Sequence, residues 1–421
     1  MIKQLAILAG GKGLRLGLTD IPKPMVDIAG KPLLLHQVEL AKRYGVKEIF
    51  LLEGHLSDVI QNYFGDGSKF GVKIHHIVEQ KPLGTAGAVK LLEGRIDRSF
   101  LVFYGDIVMD FDVAHFVSYA EKDFNVVATL IAHPCNHPYD SDLLEVDDRG
   151  NITRFLPKPH PQGLVYRNLG NACVYVLSPK VFQYIEPGFV QDFGHDIFPK
   201  MLAKGVRIQA YQTPEYIHDI GTKDRLFHAS HDAGSGKARR LNRENPRPAI
   251  FLDRDGTINR DMGDAKKVEN FELLPNVAEA IKIINKSDCL AVVITNQGIL
   301  AKGLISFEGY RQMQKKMESL LGNDGAFVDA SYFCPHMPAK YRGLHGEIAE
   351  LKTDCNCRKP APGMILRAAK DMNIDIANSW MIGDQDCDVE AGRAAGCRTL
   401  RLEQNDGGLY EVVKRICRKN M

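Results

Sequence analysis

Short apolar runs alternate with amphipathic stretches along the first hundred residues. The run 5–10 reads as a buried strand, 33–45 as a helix closed by Gly45, and 48–54 as a second strand. A helix over 57–65, a strand over 72–79, a helix over 85–94 and a strand over 100–106 follow. This alternation predicts a mainly parallel sheet with helices on both faces. Near 227–248 the pattern stops: HASHDAGSGKARRLNRENPRPA is polar, carries Gly, Ser and Pro, and shows no apolar period. A linker over 231–248 is therefore expected. Behind it, 249–259 opens a fresh strand, and 291–297 and 379–388 hold further strands whose C-terminal ends turn polar. Two α/β domains follow, 1–230 and 249–421, without an internal repeat. Sites are expected at the carboxyl ends of their strands.

A chain of 421 residues exceeds what one hydrophobic core usually serves, which agrees with two domains. A formal net charge of +2 leaves no nucleic-acid or membrane footprint. No apolar run has the length of a membrane-spanning helix, and the apolar start is too short for a signal peptide. Nine cysteines, an odd count in a long chain, argue against a disulfide framework and for the reducing cytoplasm. A homo-oligomer is left open. His55, His75, His76 and His137 have no companion spacing and read as surface or satisfied core residues, and 237–243 as a solvated basic run.

The chemistry of the second half starts at FLDRDGT, which puts Asp253 and Asp255 two apart at a strand end, on one strand face. The following Gly-Thr permits a tight turn whose N–H groups face an anion. Thr295 and Asn296 offer a hydroxyl and an amide, Arg358 and Lys359 two cations, and Asp384 and Asp388 further carboxylates. Carboxylates from two strands describe a hard-cation site for Mg²⁺. Cys334, His336, Cys355 and Cys357 form a second constellation, sufficient for a closed, structural tetrahedral zinc site that orders the loop carrying Arg358.

These motifs, in this order, resemble the haloacid dehalogenase superfamily of phosphotransferases. With the zinc loop they look like the D-glycero-D-manno-heptose 1,7-bisphosphate 7-phosphatases over about 248–403, whose relatives the histidinol-phosphate phosphatases share most of them. The resemblance implies a Rossmann-like fold with Asp253 as nucleophile and Asp255 as general acid and base. It implies Thr295 and Lys359 at the phosphoryl group, and Mg²⁺ on Asp253, Asp255 and Asp384. Asp261, Asn296, Gln297 and Arg358 would contact substrate. The sequence departs from the family's pattern at Lys302 and Gln385.

In the first half, LAGGKGLRLG follows the first strand, and Lys23 stands between Pro22 and Pro24. EQKPLGTAGAV opens a helix, and Asp106 ends a strand. Glycines let a backbone approach phosphates, with arginine as charge partner. The ensemble, with Lys158, Asn171 and Asp219, resembles the sugar-1-phosphate nucleotidyltransferases over about 1–226, nearest the mannose-type or heptose-type guanylyltransferases. That implies a GT-A-like mixed-sheet fold in which Gly10, Gly11, Arg15 and Lys23 bind the triphosphate. Glu79 and Gly84 would meet base and ribose, Asp106 and Asp219 hold Mg²⁺, and Lys158 and Asn171 touch the sugar phosphate. Leu14, Pro157 and Cys173 depart from the family's usual residues. The two resemblances share a heptose phosphate, so a bifunctional phosphatase and nucleotidyltransferase is expected, its substrates a sugar phosphate and a nucleoside triphosphate. The alternatives are a hexose or other polyol phosphate, or a degenerate N-terminal binding module.

Overall fold

Every residue from Leu5 to Ile7 is buried, as a strand covered on both faces requires. The computed structural model describes residues 2–11, 13, 16, 17, 19–263, 267–338, 340 and 348–418. Leu14 and Arg15, expected in the glycine loop, lie outside them. The chain forms two units. The first takes the residues up to His133 with Asp142–Pro157 and Gly170–Asn242. The second takes Pro134–Ser141, Lys158–Leu169 and everything from Arg243 onward. Among the described residues no helix is long and apolar enough to cross a membrane.

The first unit is built on a nine-stranded sheet. Its parallel part is β1 (Gln4–Leu8), β2 (Glu48–Glu53), β3 (Lys73–Val78) and β4 (Phe100–Tyr104), in the order β3-β2-β1-β4. β5 (Ile107–Asp110) leaves the sheet to pair with a later strand. β6 (Ala128–His133), β7 (Leu143–Val146), β8 (Ile152–Leu156), β9 (Gly170–Leu177) and β10 (Ile208–Gln212) complete the nine. β9 runs antiparallel to β4, β6 and β7. The sheet is therefore mixed. The uninterrupted parallel run is confined to β3-β2-β1-β4, where strands alternate with helices; from β6 onward antiparallel pairing predominates, with β10 alone running parallel to β6. β11 (Tyr216–Asp219) pairs with β5, setting Asp219 opposite Ile107.

The expected linker is largely folded. Helices cover Lys223–Gly234 and Lys237–Arg240. Leu226, Ala229, Ala233, Ala238 and Leu241 pack with Leu16, Val26, Ile28, Leu33 and Val108. The first three follow a three-to-four-residue period, hidden by small alanines and broken at Gly234-Ser235-Gly236. The run 237–243 is not simply solvated: Asn242 is fully buried and donates to Asp110 at 2.7 Å.

The second unit holds a five-stranded, all-parallel sheet. Its strands are β12 (Ala249–Leu252), β13 (Leu290–Asn296), β14 (Ala330–Cys334), β15 (Trp380–Gly383) and β16 (Arg398–Arg401), in the order β14-β13-β12-β15-β16. Alternate residues of β12 feed two cores: Ile250 and Leu252 one, Ala249 and Phe251 the other. Polar residues gather at the carboxyl ends.

Candidate active sites

Four parallel strands of the first unit end at one cavity of about 610 Å³. Gly10 and Gly11 come from the end of β1, Gly54 and His55 from β2, Glu79 and Gln80 from β3, and Tyr104, Gly105 and Asp106 from β4. Lys23 enters on a single 3₁₀ turn, Lys23–Met25, and its buried ammonium meets Asp106 at 2.6 Å. A Cβ on Gly54 would lie 3.1 Å from the Gly10 carbonyl oxygen, so both glycines let the first two loops press together. Gly84 has φ +73°, and a Cβ there would lie 2.5 Å from the Gln191 carbonyl oxygen. Glu79 accepts from the Leu83 N–H at 3.0 Å, and burial pushes its carboxyl up.

Of the residues expected at this site, Gly10, Gly11, Lys23, Glu79, Gly84 and Asp106 line the cavity together. Asp219 adjoins it through the backbone, Ile220 N–H donating to the Asp106 carbonyl at 3.0 Å, but its carboxylate lies on Arg225. Asn171 is not in the lining; its amide donates to the Tyr175 hydroxyl at 3.1 Å. Lys158 belongs to the second unit, where its ammonium donates to the carbonyl (2.8 Å) and carboxylate (3.1 Å) of Asp140. Its segment is anchored there on the helix Phe307–Asn323: Tyr166 N–H donates to Ser319 Oγ and Asn168 N–H to Glu318. His55 lines the cavity, against its expected bland role, while His75 and His76 are satisfied by Glu48 and Glu53. Thr85, also in the lining, donates to Asp192 at 2.7 Å, a pairing across 107 positions that no local pattern signals.

The second site lies at the ends of β12, β13 and β15. Asp253, Asp384 and Asp388 are buried and bring one oxygen each within 4.8 Å of one another. Lys359 reaches Asp253 at 2.7 Å and Asp388 at 2.5 Å, and donates to the Ile294 carbonyl. Burial works against its ammonium, yet Asp253 and Asp388 raise it above the usual lysine range. Burial pushes the Asp253 carboxyl up to about 7, with Lys359 drawing it back. Three buried carboxylates facing one ammonium leave negative charge over, and Asp384 Oδ1 is buried without a hydrogen-bond partner among the described residues. That donor set fits a divalent cation.

Asp255, expected in the same cation site, is not in this carboxylate group. Its oxygens accept from Arg254, Asn259 and Gln297 instead. Asp388 takes its place; the Gly-Asp-x-x-x-Asp spacing was the signal for it. Thr295 accepts from Gln297 at 2.8 Å, and the Asn296 side chain brackets the Lys359 backbone by donating to its carbonyl and accepting from its N–H. Arg358 donates to the His336 carbonyl at 3.0 Å. Asp261 stands apart, accepting from Gly263 N–H and Gln404.

Beside this site Cys334, His336, Cys355 and Cys357 converge, with sulfur–sulfur separations of 3.2 to 3.6 Å and His336 Nδ1 3.3 Å from Cys357 Sγ. For Zn–S bonds of about 2.3 Å the edge of a tetrahedron is about 3.8 Å, so the four donors are near zinc spacing.

The family profile described as nucleotidyl transferase matches residues 5–236, and that described as HAD-hydrolase-like matches 356–406. The D-glycero-beta-D-manno-heptose-1,7-bisphosphate 7-phosphatase of Yersinia pestis is 40% identical over 155 residues, 37% of this chain and 79% of that protein. The chain also resembles the crystal structure of HddC from Yersinia pseudotuberculosis, at 28% identity and TM-score 0.49, over 55% of this chain and 100% of that one. A Bacillus anthracis chain designated a glucose-1-phosphate thymidylyltransferase aligns over 56% of this chain and 96% of its own, with TM-score 0.50 and 24% identity.

Proposed function

Because the chain belongs both to the nucleotidyl transferase family and to that of the heptose-bisphosphate 7-phosphatases, we propose that it carries out consecutive steps on one sugar. The second unit removes the 7-phosphate of a heptose 1,7-bisphosphate. The first joins the resulting heptose 1-phosphate to a nucleotide, with GTP as the donor suggested by the guanylyltransferase-like motifs. The observation that carries this reading is the pair of unlike, separately built sites: a glycine-lined cavity with Lys23 on Asp106, and a buried carboxylate cluster with Lys359 on Asp253.

In the phosphatase step Asp253 attacks phosphorus while the bond to the sugar oxygen breaks, and that oxygen takes a proton from Asp255. Asp255 then removes a proton from water, which attacks the aspartyl-phosphate, releases phosphate and restores Asp253. Lys359, fixed by Asp253, Asp388 and the Ile294 carbonyl, offsets charge on the phosphoryl oxygens. Mg²⁺ held by Asp253, Asp384 and Asp388 would supply further charge neutralisation there. In the nucleotidyl step a sugar-phosphate oxygen attacks the α-phosphorus in line and pyrophosphate leaves. Gly10, Gly11 and Lys23 hold the phosphates, and Asp106, with Asp219 on the adjoining strand, would carry the Mg²⁺ of the nucleotide. The four-donor Cys/His set would hold a structural zinc. Free thiols throughout the described residues agree with a cytoplasmic enzyme.

Incubation with heptose 1,7-bisphosphate, GTP and Mg²⁺ is expected to give one phosphate, one pyrophosphate and one GDP-heptose per turnover. Asp253→Asn is expected to lower conversion of the bisphosphate at least about 10³-fold while leaving conversion of heptose 1-phosphate intact. Phosphate release with no nucleotide sugar from either substrate would sink the coupled reading.

A further inference from the structure

Arg254, between the two aspartates of the phosphatase site, is fully buried. Its guanidinium carbon lies over the rings of Phe271 (6.0 Å to the centroid) and Tyr310 (5.5 Å). Neighbouring residues on a strand point to opposite faces. Here the chain has left β12 and curls, with the N–H groups of Ile258 and Asn259 donating to the Arg254 carbonyl at 2.8 and 3.0 Å. The curl brings the Arg254 side chain round to its own neighbour. Nη2 lies 3.0 Å from both oxygens of Asp255, and Nε is 3.3 Å from Oδ1. Asn259 Nδ2 adds a bond to Oδ1 at 3.1 Å, and Gln297 Nε2 one to Oδ2 at 2.7 Å.

Stability alone is a poor account of this arrangement. Burying a guanidinium costs several kcal/mol, and an apolar side chain of similar volume commonly serves stability as well or better. The slot is lined by two aromatic rings, and Arg254 Nη1 has no hydrogen-bond partner among the described residues. What the guanidinium supplies, and an apolar chain cannot, is a permanent positive charge with planar donors that fix the plane of a carboxylate. Asp255 is the carboxylate it fixes.

We propose that Arg254 is a positioning residue for the proton-transfer step: packed against Phe271 and Tyr310, it sets the orientation of the Asp255 carboxyl toward the leaving oxygen. The inference rests on Asp255 being the proton donor, and the test separates the two claims. An alkyl phosphate such as the heptose ester cannot lose its sugar oxygen readily without a proton. p-Nitrophenyl phosphate and acetyl phosphate expel stabilised anions that need none. The value of kcat/KM reports only the steps up to loss of the leaving group, so it isolates that proton.

Arg254→Met, which keeps the bulk of the stem in the aromatic slot, is expected to lower kcat/KM for heptose 1,7-bisphosphate about 100-fold or more. It is expected to lower kcat/KM for p-nitrophenyl phosphate and acetyl phosphate less than about tenfold, with KM for the bisphosphate little changed. Arg254→Lys keeps the charge without the fork and is expected to show the same selectivity, less strongly. If Arg254→Met does not fold, the lysine variant carries the comparison. Equal losses on all three substrates, or no loss on the bisphosphate, would overturn the proposal. Asp255→Asn is the control. If it shows no leaving-group selectivity, the proton-donor reading itself fails; if it does and the Arg254 variants do not, only the positioning role fails.

Discussion

Gly256 has φ +85°, and a Cβ built on it would lie 2.5 Å from Asp384 Oδ2. Two effects therefore add in Gly256→Ala: a left-handed backbone that alanine resists by about 1–2 kcal/mol, and a methyl group pressed into a carboxylate. Asp384 is itself buried, so it has little room to yield. The substitution is expected to destabilise the second unit by about 2–4 kcal/mol and to lower phosphatase kcat/KM at least about 100-fold. Nucleotidyl transfer from heptose 1-phosphate should be unchanged. Thermal denaturation and the two assays check this; a fully active alanine variant would show that Asp384 is not held where the geometry puts it. At this scale the sequence was most legible where chemistry repeats at short range. Asp253, Lys359 and Asp384 were identifiable because strand ends and short spacings determine where they point. Asp255 was expected among the metal carboxylates, and nothing in Asp-Arg-Asp tells that the intervening arginine folds back onto it instead. His55 was equally unreadable, since its place depends on how four loops end together.

Among the elements, the segment from the end of β14 to Lys359 shows how a metal set would act at a distance from the chemistry. Cys357, Arg358 and Lys359 are consecutive. Two of the four donors, Cys355 and Cys357, therefore sit within four residues of Lys359, which must deliver its ammonium to Asp253 at 2.7 Å, and the other two anchor them to the end of β14. A bound metal would fasten this segment. Protein purified without chelators is expected to carry about one zinc per chain by elemental analysis. Stripping it should lower phosphatase activity at least about tenfold and leave nucleotidyl transfer intact. Mg²⁺ alone should fail to restore activity, and Zn²⁺ with Mg²⁺ should succeed; full recovery with Mg²⁺ alone would remove the zinc from the account. The Cys-x-His and Cys-x-Cys pairs made this element readable in advance. The helix Lys223–Gly234 was not, because alanines at its buried positions give too weak an apolar signal to stand out from a polar stretch. The surroundings of Lys158 were hidden for a related reason. Its local motif fits a sugar-phosphate ligand, but the segment that carries it is fastened to Glu318 and Ser319 more than 140 positions away.

For the whole molecule the question is whether the sugar leaves one site before it enters the other. Among the described residues, the lining of the glycine-lined cavity comes from the first unit and the carboxylate cluster from the second. In the proposed mechanism neither chemistry keeps the sugar covalently attached, since Asp253 would take only the phosphoryl group and the nucleotidyl step would proceed by direct displacement. Heptose 1-phosphate is therefore expected to pass through solution. That predicts a lag in GDP-heptose formation from the bisphosphate, abolished by adding heptose 1-phosphate at the start. It also predicts complementation. Lys23→Ala removes the ammonium that meets Asp106 in the cavity and should cost nucleotidyl transfer about 10²–10³-fold. Asp253→Asn should lower the phosphatase at least about 10³-fold. An equimolar mixture of the two variants should convert bisphosphate to GDP-heptose at the rate of wild-type chains present at half the total concentration, because each reaction has half its sites intact. A mixture markedly slower than that, with each single activity at its expected value, would mean that the intermediate moves between sites on one chain without equilibrating with solvent.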